Sequence, residues 1–284
     1  MMSNDSGILY VVATPIGNQS DLSARAREIL ADADLIAAED TRHTGRLLRT
    51  LGVRRPMISL HEHNEQARVP ELLARLEDGV TIALVSDAGT PLISDPGFRL
   101  VAAARSAGLT VSPIPGPCAA VAALSVAGLP TDRFVFEGFL PSRGAARRRR
   151  LEALLGERRT LVFYESVHRI VALLKDLAEI LGPDRQASVA RELTKLHETV
   201  TGGALADLAQ AVEQDTATRR GEYVVVVRGA GARSGKEAPR ELLTLLLEEL
   251  PPARAAAVAA RLTGRPRDEV YRMAVALARQ RPLS

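Results

Sequence analysis

Residues 83–97, with the sequence ALVSDAGTPLISDPG, decide the fold class of this chain. The stretch opens on an apolar run, and Ile82, Leu84 and Val85 predict a buried strand. It then passes through two turns rich in glycine and proline, and a helical pattern begins at Phe98. A buried strand, a long polar loop and a helix are typical of open α/β sheets, which bind ligands beyond the carboxyl ends of their strands. We therefore expect an α/β fold with a binding site at this loop.

The composition is that of a globular protein. The chain has 284 residues, of which 46% are hydrophobic and 25% charged, and this length suggests two domains with separate cores. A single cysteine, Cys118, excludes a disulfide within the chain and fits a reducing compartment. There is no signal pattern at the N-terminus and no apolar run long enough to span a bilayer. We expect a cytoplasmic protein without a membrane partner.

Strand and helix patterns alternate along most of the chain, which indicates largely parallel sheets. A proline-rich segment that carries three of the five phenylalanines interrupts the alternation at 129–142 and suggests a domain junction. After a spacer of linker composition, only three short helical segments follow, and they resemble a helix-turn-helix unit. We expect an N-terminal α/β domain at 1–128, a C-terminal α/β domain at 129–230, and a linker with a helical tail at 231–284.

Polar side chains crowd the ends of several predicted strands, in the segments 39–43, 61–65 and 191–198. For each of them the alternative to a functional role is a charge network that braces the fold. The segment 61–65, HEHNE, has two histidines and two glutamates, but its spacing differs from the H-E-x-x-H zinc motif and no cysteine is near. The sequence therefore predicts no metal site, and a polar rim on a substrate cleft is the better interpretation.

Two further features point to ligands. A helix of small residues begins after Pro115-Gly116-Pro117, so a ligand can approach its free backbone N–H groups, although close helix packing explains the alanines equally well. The densest basic cluster consists of Arg143 and the run Arg147, Arg148, Arg149 and Arg150. Four consecutive arginines cover more than one face of a helix and suit phosphate groups, so the cluster is a candidate RNA-binding site; the alternative is a solvated helix face.

Eight blocks of sequence carry a family resemblance that covers nearly the whole chain. The most specific are ATPIGN (13–18), AEDTRHT (38–44), VSDAGTPLISDPG (85–97), PIPGPCAAVAAL (113–124) and RELTKLHE (191–198). With these blocks in this order, the chain resembles the rRNA-modifying members of the tetrapyrrole methylase superfamily. The resemblance implies two α/β domains of the tetrapyrrole methylase type with S-adenosylmethionine in the cleft between them. It also implies a homodimer that 2′-O-methylates a cytidine ribose in the 16S rRNA of the small ribosomal subunit.

Carried onto matching positions, the resemblance names the residues expected to contact the cofactor: Pro15, Asp87, Gly89, Thr90, Pro91, Ile93, Cys118, Ala119, Ala120, Tyr164, Glu165, Gly221 and Glu222. A ribose hydroxyl is a poor nucleophile at neutral pH, so the reaction needs a group that takes its proton. Our catalytic candidates are the strand-end residues Asp40, Arg42, Glu65, Arg191 and Lys195. Lys195 or a nearby carboxylate would orient or deprotonate the hydroxyl, and the two arginines would hold phosphates or brace the site.

Two other functions stay open on the sequence alone. A small-molecule methyltransferase that acts on a tetrapyrrole shares the fold, but it needs neither the arginine cluster nor the helical tail. A non-catalytic ribosome-binding factor has no need to retain the cofactor loop.

Overall fold

The computed structural model describes residues 6–214, 221–231 and 237–279. Within these residues, ten strands form two five-stranded sheets. The first sheet consists of β1 (Ile8–Val12), β2 (Leu35–Ala38), β3 (Met57–Ser59), β4 (Ile82–Val85) and β5 (Thr110–Ile114). Its strands are all parallel and lie in the order β3-β2-β4-β1-β5. The helices α1 (Ala24–Asp32), α2 (Thr41–Thr50), α3 (Glu65–Glu77) and α4 (Phe98–Ser106) connect these strands.

The second sheet is mixed, whereas the alternating sequence pattern predicted parallel strands. It consists of β6 (Phe134–Phe139), β7 (Thr160–Ser166), β8 (Gln186–Arg191), β9 (Thr199–Ala204) and β10 (Glu222–Val227), in the order β6-β7-β10-β8-β9. Only β6 and β7 pair in parallel; the other three pairs are antiparallel. The sequence analysis missed β9, an edge strand of sequence TVTGGA whose first four residues are exposed, because it lacks the apolar pattern that marks a strand.

One helix joins the two sheets. The helix α5 (Ala119–Val126) follows β5 of the first sheet in the chain, but it packs on the second. Its buried residues Ala120, Ala123 and Leu124 form one apolar cluster with Val162, Ala190, Leu193, Val224 and Val226. Close helix packing therefore explains the alanines of this helix. The other face of the second sheet is covered by α6 (Gly144–Ala153), α7 (Ile170–Leu181) and α8 (Leu205–Gln214).

The C-terminal residues form a compact unit of their own. It contains α9 (Glu237–Glu249), α10 (Pro252–Thr263) and α11 (Arg267–Arg279) around a small core that includes Leu243, Ala256 and Val270. Gly264 ends α10 at a φ of +69°, a left-handed conformation that glycine adopts without strain. The tight turn between α10 and α11 fits the helix-turn-helix expectation. Among the described residues, no helix is both long and apolar enough to cross a membrane.

The structure gives Glu65 a structural position and not the catalytic one that we expected. Its side chain is buried, and its Oε1 accepts N–H groups from Gly97 (3.2 Å), Arg99 (2.8 Å) and Leu100 (3.3 Å). These belong to the first turn of α4, where backbone N–H groups have no partner within the helix. A carboxylate at this end also complements the helix dipole. Glu65 therefore caps α4 and fixes the loop that precedes it.

We predict that Glu65→Ala lowers the free energy of unfolding by roughly 2–4 kcal/mol, because it leaves buried N–H groups without an acceptor. Urea denaturation measures the change. Glu62→Ala, which removes an exposed carboxylate from the same segment, is the matched control and should change stability by less than about 0.5 kcal/mol. Equal stabilities of the two variants would contradict this role.

Candidate active site

A cavity of about 370 Å³, which we call the cleft cavity, lies between the two sheets. Its walls come from the loop after β4, the start of α5, the ends of β6 and β7, and the start of β10. Its lining residues are Ile16, Glu39, Asp87, Ala88, Gly89, Thr90, Ile93, Ser94, Asp95, Cys118, Ala119, Phe139, Tyr164, Glu165, Ser166, Val167, Gly221, Glu222, Tyr223 and Val224. The loop that we expected to bind a ligand therefore forms one wall of an enclosed site.

Backbone contacts hold the loop after β4 in place. Gly89 exchanges two hydrogen bonds with Thr14, of 2.8 and 3.0 Å, and has a φ of +85°. Thr90 Oγ1 donates to the carbonyl oxygen of Pro117 at 2.9 Å, which ties this loop to the one before α5. Leu92 and Ser94 have φ values of +73° and +69°, which side-chain-bearing residues rarely adopt. Such strained conformations cluster at functional sites, where the surrounding contacts enforce them.

Five carboxylates line the cleft cavity, and none of its described lining residues is a lysine or an arginine. Glu165 pairs with Arg169 at 2.9 Å, and Glu222 pairs with Lys195 at 3.1 Å. The two cations, Arg169 and Lys195, do not line the cleft cavity. The remaining three are Glu39, Asp87 and Asp95. The backbone N–H of Asp87 donates to Glu39 Oε2 at 3.2 Å, so these acids lie side by side. Their negative charge favours a ligand with a cationic group.

Burial changes the protonation of this acidic group. It raises the pKa of Glu39, with a further increase from the negative charge of Asp87. It also raises the pKa of Asp95 to about 6, against a hydrogen bond from Ser86 that acts to lower it. Both shifts show that ionised carboxylates are unfavourable here while no cation is near.

Aromatic side chains form another part of the lining, where Phe139 and Tyr164 contact the cavity. The rings of Phe136 and Phe139 contact the Tyr164 ring edge-on, with centroids 5.0 and 5.6 Å away. The Tyr164 hydroxyl accepts the backbone N–H of Ala120 at 2.9 Å, in the first turn of α5. Burial raises the pKa of this tyrosine, with a further contribution from Cys118, so it stays protonated at neutral pH. The cleft cavity therefore combines an acidic wall with an apolar, aromatic one.

A second cavity of about 350 Å³, the side cavity, adjoins the first. It is lined by Thr14, Pro15, Ile16, Gly17, Gln19, His43, Arg46, Leu47, Thr50, Asp87, Ala88, Lys195 and Glu222. Ile16, Asp87, Ala88 and Glu222 line both cavities and so form a shared wall. Unlike the cleft cavity, this one has cationic side chains, those of Arg46 and Lys195. Two carboxylates, Asp87 and Glu222, thus lie at the boundary between the two cavities.

Lys195 is held rigidly at the shared wall. Its Nζ donates to Glu192 Oε1 at 2.8 Å and to Glu222 Oε2 at 3.1 Å. Partial burial acts to lower the pKa of Lys195, but the two carboxylates outweigh it and raise the pKa above its ordinary value. A Cβ at Gly17 would lie 2.4 Å from Lys195 Cγ, so only glycine leaves room for this side chain. These contacts favour the charged form of Lys195.

Of the five catalytic candidates, only Lys195 lines one of the two main cavities, the cleft cavity and the side cavity. Asp40 caps α2, accepting the backbone N–H of Arg42 at 2.8 Å, and pairs with the Arg42 guanidinium at 3.0 Å. Hydrogen bonds from Arg42 lower the pKa of Asp40 to about 2, and the Arg42 side chain is 89% exposed. Arg191 lines a separate, small cavity with Thr199 and Tyr223. With Glu65 as a helix cap, four of the five candidates lie outside the two main cavities.

Most of the expected cofactor contacts do line the cleft cavity. Pro15 is placed on the side cavity instead, while Pro91 and Ala120 are outside both linings and Pro91 is buried. The sequence analysis included Glu39 among the polar strand ends but not as a cofactor contact, and it missed Ser94, Asp95, Phe139 and Tyr223, among others. Glu39 and Asp95 stand in the same sequence blocks that carried the resemblance, so their position at strand ends was the available signal.

The structure does not support the prediction that the arginine cluster at α6 is a single RNA-binding patch. Arg147 is buried and its Nε donates to Asp176 Oδ2 at 2.7 Å; Arg148 pairs with the same aspartate at 2.9 Å and also with Glu179. Arg150 pairs with Glu137 at 2.8 Å. These ion pairs fix α6 to α7 and to β6 and leave little free charge. Of the cluster, Arg143 and Arg149 are exposed and have no ion pair among the described residues.

No group of three His, Cys, Asp or Glu side chains in the described part of the chain has an arrangement that could hold a metal ion. The segment 61–65 instead makes local contacts: the Asn64 side chain accepts the backbone N–H of His61 at 2.8 Å and donates to the carbonyl oxygen of Ser59 at 3.1 Å.

Comparison with known proteins supports the resemblance. Residues 8–209 match the family model of tetrapyrrole (corrin/porphyrin) methylases, and residues 234–278 match that of the RsmI C-terminal HTH domain. The chain belongs to the tetrapyrrole methylase family. It is 54% identical to ribosomal RNA small subunit methyltransferase I of Xylella fastidiosa, over 93% of this chain and 98% of the relative. It is 50% identical to the protein of that name from Escherichia coli O157:H7, over 96% of each chain.

A solved structure shows the same fold. Uroporphyrin-III C-methyltransferase from Thermus thermophilus, in complex with S-adenosyl homocysteine, is similar over 78% of this chain and 97% of its own length, with a TM-score of 0.54 and 19% identity. The predicted fold class and family are therefore confirmed.

The raised pKa of Asp95 leads to a prediction about stability. Its folded-state pKa, about 6, lies above the ordinary value of 3.8, so the folded state loses stability relative to the unfolded chain as pH rises through this window. Asp95→Asn should therefore raise the free energy of unfolding at pH 7.5 by roughly 1–2 kcal/mol, after allowance for solvent screening. At pH 4 the gain should vanish.

Urea denaturation at both pH values, without ligand, measures this difference. Asp132→Asn, at an exposed turn, is the control and should show no such dependence on pH. A gain for Asp95→Asn that is equal at pH 4 and pH 7.5 would contradict the assignment.

Proposed function

We propose that this protein transfers a methyl group from S-adenosylmethionine to the 2′-oxygen of a cytidine ribose in the 16S rRNA of the small ribosomal subunit. One observation carries the proposal: an acidic, aromatic cavity shares a wall of carboxylates with a second cavity that contains a fixed cation. The names of the relatives support RNA as the substrate over the tetrapyrrole alternative. We further propose a cytoplasmic homodimer, in the compartment of its substrate, and a reaction that needs no metal.

The cleft cavity fits the methyl donor. When bound, S-adenosylmethionine supplies an electrophilic methyl group on a positively charged sulfur. The carboxylates of Glu39, Asp87 and Asp95 would stabilise cationic groups in a site that lacks a lysine or arginine among its described lining residues. The aromatic wall around Tyr164 suits an apolar ring, and the glycine turn at Gly89 allows close approach of the backbone. A carboxylate cluster that is unfavourable alone thus becomes favourable when its ligand brings the charge.

The shared wall suits the acceptor. A ribose hydroxyl in the side cavity would give its proton to a carboxylate while its oxygen takes the methyl group, and the methyl–sulfur bond of the donor would break to leave S-adenosylhomocysteine. Glu222 is our candidate for the proton acceptor, because it lines both cavities and Lys195 donates to its Oε2 and not to its Oε1. Lys195, kept charged by Glu192 and Glu222, would position this carboxylate and stabilise negative charge on the oxygen. Asp87 is the other carboxylate of the shared wall.

The first test concerns the donor. Calorimetry should detect S-adenosylmethionine binding without added metal, and Gly89→Val should weaken it at least tenfold. The new side chain projects from a position with a φ of +85°, where a Cβ already lies 3.4 Å from Ile16 Cγ2. Gly108→Val is the matched control, because Gly108 has a similar φ of +74° but nothing within 4 Å of its Cβ position. This control should lose stability and keep cofactor affinity.

Absence of cofactor binding by the unaltered protein would reject the enzyme altogether. Equal cofactor affinities for the Gly89→Val and Gly108→Val variants would reject the placement of the cofactor at this loop.

The second test concerns the proton. Glu222→Gln keeps the size of the side chain and should lower methyl transfer at saturating cofactor by about 10²-fold or more, because it removes the general base. Lys195→Met should also slow transfer by leaving Glu222 unpositioned. Single-turnover transfer from labelled cofactor to small subunits measures both. Normal transfer by Glu222→Gln together with loss in Asp87→Asn would move the role to Asp87. Alkaline cleavage of the product at the modified residue would exclude methylation of the 2′-oxygen.

A further inference from the structure

A second arginine-rich segment without acidic residues lies in the first domain, outside α6. Residues 41–61 contain no aspartate or glutamate. They contain five arginines, Arg42, Arg46, Arg49, Arg54 and Arg55, and two histidines. Arginines that outnumber the acids near them keep most of their charge, so such a stretch produces a positive potential at the surface.

The structure exposes this charge on one side of α2. The helix turns Thr44 and Leu48 inward, where both are buried. Arg42, Arg46 and Arg49, at the i, i+4 and i+7 positions, are exposed on the outer side, and the loop after α2 adds the exposed Arg54 and Arg55. We call these five arginines the α2 face.

Little of the charge on this face is compensated. Arg42 pairs with Asp40, and Arg46 contacts the His43 ring at 3.3 Å. Arg49, Arg54 and Arg55 form no ion pair with any residue that the structure describes. The arginine cluster at α6 differs in this respect, because three of its five arginines form ion pairs with carboxylates of α7 and β6.

The α2 face is continuous with the site. His43, Arg46, Leu47 and Thr50 project from α2 into the lining of the side cavity. This cavity shares the wall of Asp87 and Glu222 with the cleft cavity. A polyanion bound along α2 would therefore lie beside the cavity that we assign to the methyl acceptor.

We propose that the α2 face binds the phosphate backbone of the acceptor RNA as a single strand, with the target nucleotide in the side cavity. This inference rests on the proposed function, since it names the surface that delivers the substrate. Arginine suits the task because its planar group binds phosphate oxygens in pairs. A single strand is required, because a nucleotide stacked within a duplex presents its ribose at the helix surface and cannot enter a cavity without leaving the stack.

The test neutralises four arginines of this face in one variant, Arg46→Gln, Arg49→Gln, Arg54→Gln and Arg55→Gln. The control variant removes the same charge elsewhere, through Arg27→Gln, Arg99→Gln, Arg105→Gln and Arg158→Gln, all of them exposed and outside both arginine clusters. The probe is a 20-nucleotide single-stranded RNA of 16S sequence around the modified cytidine, and its dissociation constant is measured from 50 to 300 mM salt. Calorimetric binding of S-adenosylmethionine is measured on both variants.

Each phosphate contact on a single strand contributes about −0.7 to the slope of log affinity against log salt, so loss of four contacts should flatten the slope by about 3. We expect the α2 variant to show this change and at least a 30-fold weaker affinity at the lowest salt. The control variant should keep a steeper slope, and both should bind cofactor as the unaltered protein does.

Three outcomes would overturn the inference. The first is an α2 variant whose salt slope equals that of the control. The second is an unaltered protein that binds the cofactor but not this RNA. The third is an α2 variant that dissociates into monomers in sedimentation while its RNA affinity is unchanged, since the face would then contact a second copy of the chain. Methyl transfer to small subunits by the unaltered protein keeps the proposed function separate from all three.

Discussion

The packing of α5 on the second sheet is the contact on which the site depends. The helix continues from the first sheet and buries Ala120, Ala123 and Leu124 against strands of the second. Because these side chains are mostly small, the helix lies close to the sheet, and the N–H of Ala120 in its first turn donates to the Tyr164 hydroxyl. One hydrogen bond and one apolar cluster thus set the distance between two walls of the cleft cavity. A larger residue at Ala120 would separate those walls as well as disturb a core.

Strain and unfavourable charge are concentrated at the same place. The residues other than glycine with positive φ in the described part of the chain are Leu92, Ser94, Glu192 and Thr194, and all lie in loops that contribute to the two cavities or flank their lining. The raised pKa values of Glu39 and Asp95 add an electrostatic cost. A fold selected only for stability has no reason to keep either feature. Both are understandable if a cationic ligand offsets the charge and the loops must present it.

The sequence predicted those structural features that are determined by residues close together in the chain. Local patterns predicted the strands of the first sheet, the loop after β4 and the polar strand ends. They could do so because an apolar run followed by glycine and proline is typical of a buried strand and its loop. The errors concern partners that are distant in sequence. Arg147 is neutralised by Asp176, 29 residues away, and Glu65 caps a helix that begins 33 residues later. Neither pairing leaves a periodic trace, so clusters of charge were mistaken for free charge.

Acidic and basic side chains are concentrated in different places, so the net charge of the chain gives little information about its binding partner. A net charge of +3 is unremarkable, yet the structure places an acidic cavity and a basic helix face on either side of one wall. A cationic donor and an anionic acceptor cannot share a single site of either sign without one of them being repelled. Two adjacent cavities, one acidic and one that also contains Arg46 and Lys195, solve this conflict, provided that the wall between them is fixed. The ion pairs of Lys195 with Glu192 and Glu222 fix this wall, because they hold a cation and a carboxylate together at the boundary between the two cavities.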